Sequence, residues 1–235
     1  MKQTIARGFD ALGVPYTQPM LNQLERYQEL LIAWNEKINL TAITEPEEIA
    51  VKHFVDCAAV VEALPDDGAV IDVGTGAGFP GLVLKILQPE RKICLLDSLN
   101  KRIDFLKAVV QELGLEGVEF YHARAEDAGK DPAFREQFGV AVARAVANLS
   151  TLSEYCLPFV KPGGYFLSMK GPEVEEEIKA AQNALKKLGG EVERIKTVNL
   201  PETDIFHTII SVKKLRQTPP QYPRKAGKPA KEPLK

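Results

Sequence analysis

No apolar run in these 235 residues approaches the roughly 20 needed to cross a bilayer. The opening Met1-Lys2-Gln3-Thr4 also lacks the apolar segment of a secretory signal. A cytoplasmic protein without a membrane partner is expected. Cysteine is scarce: Cys57, Cys94 and Cys156 are odd in number, scattered and set among apolar residues. That pattern suits buried thiols rather than a disulfide or metal framework. His122 and His207 have no ligand spacing around them, so no metal site is expected. No internal repeat is visible.

A net charge of −2 conceals an uneven distribution. Residues 213–235 carry eight basic side chains against Glu232 alone, a net +7 that leaves −9 for the rest. An acidic body repels nucleic acid, so a polyanionic partner would have to be met by local patches, of which this tail is one. With Pro219, Pro220, Pro223, Pro229 and Pro233, the tail is not expected to form a helix or strand on its own.

Residues 1 to about 64 read as helices, with Ile5, Phe9 and Leu12, then Leu21, Leu24, Tyr27, Leu30, Leu31 and Trp34 at helical spacing. From Ala69 onward strands alternate with helices. Strands are predicted at 69–74, 91–97, 117–122, 139–143 and 163–169, and helices at about 80–88, 99–113, 149–160 and 172–188. That order implies a parallel, doubly wound α/β sheet. Two final apolar runs, 191–198 and 205–212, are joined by a loop too short for a crossover helix and should pair antiparallel. The expected division is a helical segment at 1–66, a core at 67–214 and a basic tail at 215–235.

The most informative stretch is Val70-Ile71-Asp72-Val73-Gly74-Thr75-Gly76-Ala77-Gly78-Phe79-Pro80-Gly81. An apolar strand runs into a turn with glycine at every second position, where backbone can approach a ligand with no Cβ in the way. Pro80 suits the first turn of the helix that follows. Ile93-Cys94-Leu95-Leu96-Asp97 is a second apolar strand ending in an acid about 20 residues on, the placement ribose recognition needs. Gly76, Gly78 and Gly81 also satisfy the dinucleotide pattern G-x-G-x-x-G, though two residues late and with Asp72 unexplained. Asp97 fits either cofactor class.

The pattern D-x-G-x-G-x-G at Asp72 to Gly78 more closely resembles the first motif of class I methyltransferases that use S-adenosylmethionine. Asn39-Leu40-Thr41-Ala42-Ile43, His53-Phe54-Val55-Asp56, Arg124-Ala125-Glu126-Asp127, Arg144-Ala145 and the run from Leu157 through Lys161-Pro162-Gly163-Gly164 to Lys170-Gly171 accompany it in order. Together with Tyr222-Pro223-Arg224-Lys225-Ala226-Gly227-Lys228-Pro229, they resemble the glucose-inhibited division protein B family, the ribosomal small-subunit methyltransferases G that modify guanine N7 in 16S rRNA. Cys57 stands where that family often has serine, and Ala143 where it has the serine of S-R-A.

The resemblance implies a seven-stranded Rossmann-like sheet with a helical N-terminal extension. It further implies S-adenosylmethionine as cofactor and 16S rRNA or the small ribosomal subunit as partner to a monomer. Gly74, Gly76 and Gly78 would shape the cofactor loop, Asp72 serve the methionine ammonium and Asp97 the ribose. Ala125 and Glu126 would hold the adenine side and Arg144 line the crevice, with Phe79 and Ser98 joining the cofactor set. Lys161, Lys170, Arg216, Arg224 and Lys225 are the expected RNA-backbone contacts. His53 is expected to pack rather than catalyse, and Asn39 and Thr41 to cap a turn or tie the helical segment to the sheet.

The chemistry is narrowed by what is missing. No Pro-Cys or Thr-Cys pair supplies the nucleophile of pyrimidine C5 methylation. After the fourth strand stands Ala143-Arg144-Ala145-Val146, not the N/D-P-P-Y/F of common amine methyltransferases. Guanine N7 carries an exposed lone pair and needs no proton removed, so positioning suffices and no catalytic acid or base is expected. A nicotinamide-dependent reductase, an RNA-binding assembly factor with a vestigial cofactor fold, and a small-molecule methyltransferase are the alternatives.

Overall fold

A computed structural model of the chain describes residues 1–144 and 147–235. Its sheet is set by strict alternation. In β1 (Val70–Val73) and β2 (Ile93–Asp97) every residue is buried, as strands covered on both faces require. Successive side chains go to opposite faces. Val70, Ile93 and Leu95 join one apolar cluster, while Ile71, Val73, Cys94 and Leu96 join the other.

The sheet continues with β3 (Val118–His122), β4 (Phe138–Arg144), β5 (Val160–Lys170), β6 (Gly190–Asn199) and β7 (Phe206–Lys214). The order is β3-β2-β1-β4-β5-β7-β6, with β1 to β5 parallel and β7 antiparallel to both β5 and β6. This is the predicted sheet. The chain reverses its direction of travel across the sheet between β1 and β4, so the switch-point crevice lies beyond Val73 and Arg144.

On one face, α1 (Lys2–Leu12), α2 (Gln18–Ile38), α3 (Pro46–Ile49), a π-helical turn (Ala50–Val55) and α4 (Asp56–Ala58) pack with α5 (Gly81–Leu87) and α6 (Asn100–Glu112) in a single cluster. The N-terminal helices thus share their core with the sheet. The other face is covered by α7 (Ala125–Ala128), α8 (Leu149–Cys156) and α9 (Glu175–Leu188).

Two boundaries differ from expectation. α8 stops at Cys156 because Pro158 cannot continue it, and a 3-10 turn at Leu157–Phe159 leads directly into β5. β5 begins at Val160, and a register shift opposite Phe138 and Val140 absorbs the extra residues. The tail is also more ordered than its prolines suggest. Thr218, Pro223 and Pro229 are buried, and α10 (Lys228–Lys231) forms a short helix against α8. Ala145 of the Arg144-Ala145 motif lies outside the described residues.

Gly8 marks a tight contact of the N-terminal helices: a Cβ there would lie 2.5 Å from Val55 Cγ2. Glycine inside a helix costs about 1 kcal/mol relative to alanine, so its presence answers to the close approach of the π turn. Gly8→Ala should lower stability by about 1–3 kcal/mol in urea melts through overpacking. Adding Val55→Ala should recover part of that loss; equal losses in the single and double variants would contradict the contact.

Candidate active site

The turn after β1 is bound by its own backbone and by two acids. Gly74, Gly76 and Gly78 have φ of 74°, 61° and 95°, values that glycine alone takes cheaply. A Cβ on Gly74 would meet nothing within 4 Å, and one on Gly76 only the Gly74 carbonyl at 4.0 Å. The loop surface there is bare backbone. At Gly78 the requirement is packing, because a Cβ would strike Tyr27 Oη at 2.5 Å and Leu82 Cδ1 at 2.8 Å.

Asp72 is fully buried. Its Oδ2 accepts Thr75 Oγ1–H at 2.7 Å and Gly81 N–H at 2.8 Å, which fixes the start of α5 one residue beyond Pro80. Oδ1 is buried without a partner. Burial pushes the carboxyl up to about 6, against the hydrogen bonds from Thr75 and Gly81. Asp97 holds the loop from the neighbouring strand. Its Oδ2 accepts Gly76 N–H at 2.9 Å and Arg102 Nη1–H at 3.3 Å, and Oδ1 accepts Leu99 N–H at 2.9 Å.

Two cavities flank this end of the sheet. One, of about 440 Å³, is lined by Gly74, Asp97, Ser98, Ala125, Glu126, Tyr155, Gly227 and Ala230, among others. The other, of about 840 Å³, includes Lys52, Asp56, Arg102, Arg144, Lys170, Glu177 and His207 in its lining.

The larger cavity is organised around Arg144 at the end of β4. Its Nη1 donates to Asp56 Oδ2 at 3.1 Å and to the Lys52 carbonyl at 3.0 Å, and Nη2 donates to His53 Nδ1 at 3.1 Å. Nδ1 also lies 3.1 Å from the Lys52 carbonyl, and Nε2 lies 2.9 Å from Thr41 Oγ1. Burial and the Arg144 charge push His53 down to about 4. The second oxygen of Asp56 meets His207 Nδ1. Phe79 lies beneath this group, with the His53 ring stacked at 4.5 Å and the Arg144 guanidinium 4.9 Å from its centroid.

Residues 20–206 match the family model described as rRNA small subunit methyltransferase G, GidB. The chain belongs to that family. The ribosomal RNA small subunit methyltransferase G of Alkaliphilus metalliredigens is 52% identical over all of this chain and 99% of its own length. The protein of the same name in Acetivibrio thermocellus is 48% identical over all of this chain and 97% of its own. Solved structures agree on the fold. A putative methyltransferase from Bacillus halodurans has a TM-score of 0.51 at 16% identity, covering 68% of this chain and 99% of that one. TYW2 of M. jannaschii, solved with AdoMet, has a TM-score of 0.52 at 10% identity, covering 88% and 81%.

The chain is accordingly an S-adenosylmethionine-dependent methyltransferase, and its crevice fits that cofactor better than a dinucleotide. A pyrophosphate needs free N–H donors in the loop. Here those of Gly74 and Thr75 go to the Leu96 carbonyl, those of Gly78 and Phe79 to Thr75, that of Gly76 to Asp97 and that of Gly81 to Asp72. What the smaller cavity offers instead is acceptors, the Asp97 carboxylate and Glu126, while the unpartnered Asp72 Oδ1 is buried and lines neither cavity. Ammonium, ribose hydroxyls and adenine amine are all donors. Three hydrogen bonds on Asp97 leave room in a carboxylate with about four acceptor positions.

The other expected residues divide sharply. Phe79 lines neither cavity, being packed between His53 and Tyr27. Lys170, with only 8% of its side chain exposed, donates to Glu177 at 2.6 Å and to the Ala147 carbonyl. Arg224 is bound to the buried Glu154. Both therefore spend their charge inside the protein. Arg216 is exposed and donates to the Lys186 carbonyl at 2.6 Å. Lys225 is exposed, and Lys161 is exposed at the start of β5, the end of the sheet opposite the crevice.

Sequence reasoning missed Thr75, His207, Gly227 and Ala230. His207 reaches the site because β7 runs antiparallel to β5, which puts its first residues beside Lys170 at the crevice end. Its partner Asp56 is 151 residues away, and no local spacing signals such a pair.

In the folded protein His53 resists protonation, so the stability it contributes is complete above about pH 6.5 and lost as pH falls toward 4. The stability difference between the unaltered chain and His53→Gln should shrink by about 2–3 kcal/mol across that window in denaturant melts. A difference independent of pH would contradict a neutral, buried His53.

Proposed function

We propose that this methyltransferase modifies N7 of a guanine in 16S rRNA, in the cytoplasm and as a monomer, with the helical segment 1–66 and core 67–214 together forming the RNA-facing cleft. The observation that carries the choice of atom is the charge state of the larger cavity. Its ionisable groups are already matched: Asp56 with Arg144 and His207, Glu177 with Lys170, and His53 held neutral. None is poised to remove a proton, and N7 requires none removed. As N7 is alkylated the guanine becomes cationic, so an Arg144 neutralised by Asp56 spares the product the repulsion of a bare guanidinium.

Bound S-adenosylmethionine supplies an activated methyl on a sulfonium. The chain's residues hold and orient it. In this reading Asp97 receives the ribose hydroxyls, Asp72 Oδ1 the methionine ammonium directly or through water, and Glu126 the adenine amine. Ala125 opens α7, where first-turn N–H groups lack helical partners and can meet an adenine ring nitrogen. Gly74 and Gly76 keep side chains out of the way, and Ser98 borders Asp97. For phosphate contacts the exposed Lys225 is the choice, since Lys161 and Arg216 lie toward the opposite end of the sheet; Lys170 and Arg224 act structurally.

Two measurements check this. Asp97→Ala should weaken S-adenosylhomocysteine binding at least tenfold by isothermal titration, with rRNA affinity unchanged. Mass mapping of 16S rRNA from cells with and without the gene should show one guanine losing 14 Da and its 7-methyl group. An unchanged map, or loss of a methyl from another atom, would overturn the N7 reading.

A further inference from the structure

The charged tail read from the sequence as an RNA patch is built into the cofactor crevice. Its course is fixed by anchors along its length. Arg135 donates Nη2 to the Thr218 carbonyl at 2.7 Å and Nη1 to the Tyr222 carbonyl at 2.8 Å. Arg224 grips Glu154, a carboxylate with no exposed surface, through Nε at 2.9 Å and Nη2 at 2.6 Å, while its backbone N–H adds a third bond at 2.7 Å. Thr151 Oγ1 on α8 donates to the Pro229 carbonyl at 3.0 Å. Asn183 and Lys187 on α9 both donate to the Lys235 carbonyl.

Between Arg224 and Pro229 the chain crosses the mouth of the smaller cavity. Gly227, at φ 80°, donates its N–H to Glu126 Oε1 at 2.7 Å, and Gly227 and Ala230 line the cavity wall. Glu126 Oε2 takes no protein hydrogen bond among the described residues. The basic charge is much reduced as a free patch: Lys214 is buried, Arg224 is paired with Glu154, and Lys228 lies 3.8 Å from Glu232.

We propose that residues 218–235 are a strap that completes the adenine-side wall of the methyl-donor crevice, with Gly227 positioning Glu126 so that its second oxygen faces the ligand. This rests on the reading of Glu126 as the adenine-amine acceptor. The strap lies beyond residues 20–206, which match the family model, and within the full-length alignment with the Alkaliphilus metalliredigens relative. Its physical effect is to hold a carboxylate in one rotamer and to cover one side of the base, which lowers the ordering cost of binding. Gly227 and Ala230 thus act through position and shape, while RNA phosphates are left to other residues.

The test uses the full-length chain and the variant Ala230→Trp. Ala230 is exposed on its short helix, so an indole there fills the crevice mouth without disturbing packing. Isothermal titration with S-adenosylhomocysteine should show at least a tenfold weaker Kd for the variant. The apo melting temperature and 16S rRNA affinity should stay unchanged. In the unaltered chain, S-adenosylhomocysteine should slow amide hydrogen exchange across 225–231. Equal Kd values for variant and unaltered chain, or a variant that loses RNA affinity and keeps cofactor affinity, would overturn the strap. Failure of the unaltered chain to bind S-adenosylhomocysteine is a different result: it removes the cofactor reading itself, and the strap with it.

Discussion

Two carboxylates fix the turn after β1, and the rest of the site depends on them. Asp72 holds Thr75 and Gly81 from below, and Asp97 holds Gly76 from the adjacent strand. With both ends fastened, the N–H groups of Gly74, Thr75, Gly76, Gly78, Phe79 and Gly81 are consumed inside the protein, and the surface at Gly74 and Gly76 is bare glycine backbone. Keeping Asp72 ionised at full burial costs about 3 kcal/mol at neutral pH for a carboxyl raised to about 6. The acid is retained where its free oxygen borders the loop, a local sacrifice of the kind found at functional sites.

The same logic extends outward in two directions from the sheet's C-terminal edge. On the β2 side the smaller cavity is lined by the carboxylates of Asp97 and Glu126. On the β4 side it presents a matched arginine, aspartate and histidine group over an aromatic base. The two are linked by Arg102, which touches Asp97 and borders the larger cavity. The N-terminal helices supply His53 and Asp56 to that group, so their role in the core and their role at the site cannot be separated.

Much of this was legible in the sequence because the signals are local. β1 and β2 alternate between two buried faces, and the strand, glycine and acid spacing from Val70 to Asp97 is a one-dimensional record of the crevice. The parts that were illegible depend on contacts between distant segments. His207 stands on a strand with nothing beside it in sequence to mark Asp56 as its partner. The tail's composition suggests a solvated polycation, since prolines and lysines announce no fold. Its path is given by partners distant in sequence, among them the buried Glu154 on α8 and the donors Arg135 and Thr151 that reach its carbonyls. The ion pairs of Lys170 and Arg224 were illegible for the same reason: a basic residue's partner is invisible until the fold is known.

The most direct test is a crystal structure of the full chain with S-adenosylhomocysteine bound. The account predicts its amino group on the Asp72 side of the loop, its ribose on Asp97, and its adenine between α7 and the strap with the amine on Glu126. Ligand density lying elsewhere, or a loop whose Gly76 and Gly81 N–H groups turn away from the two acids to face the ligand, would contradict it.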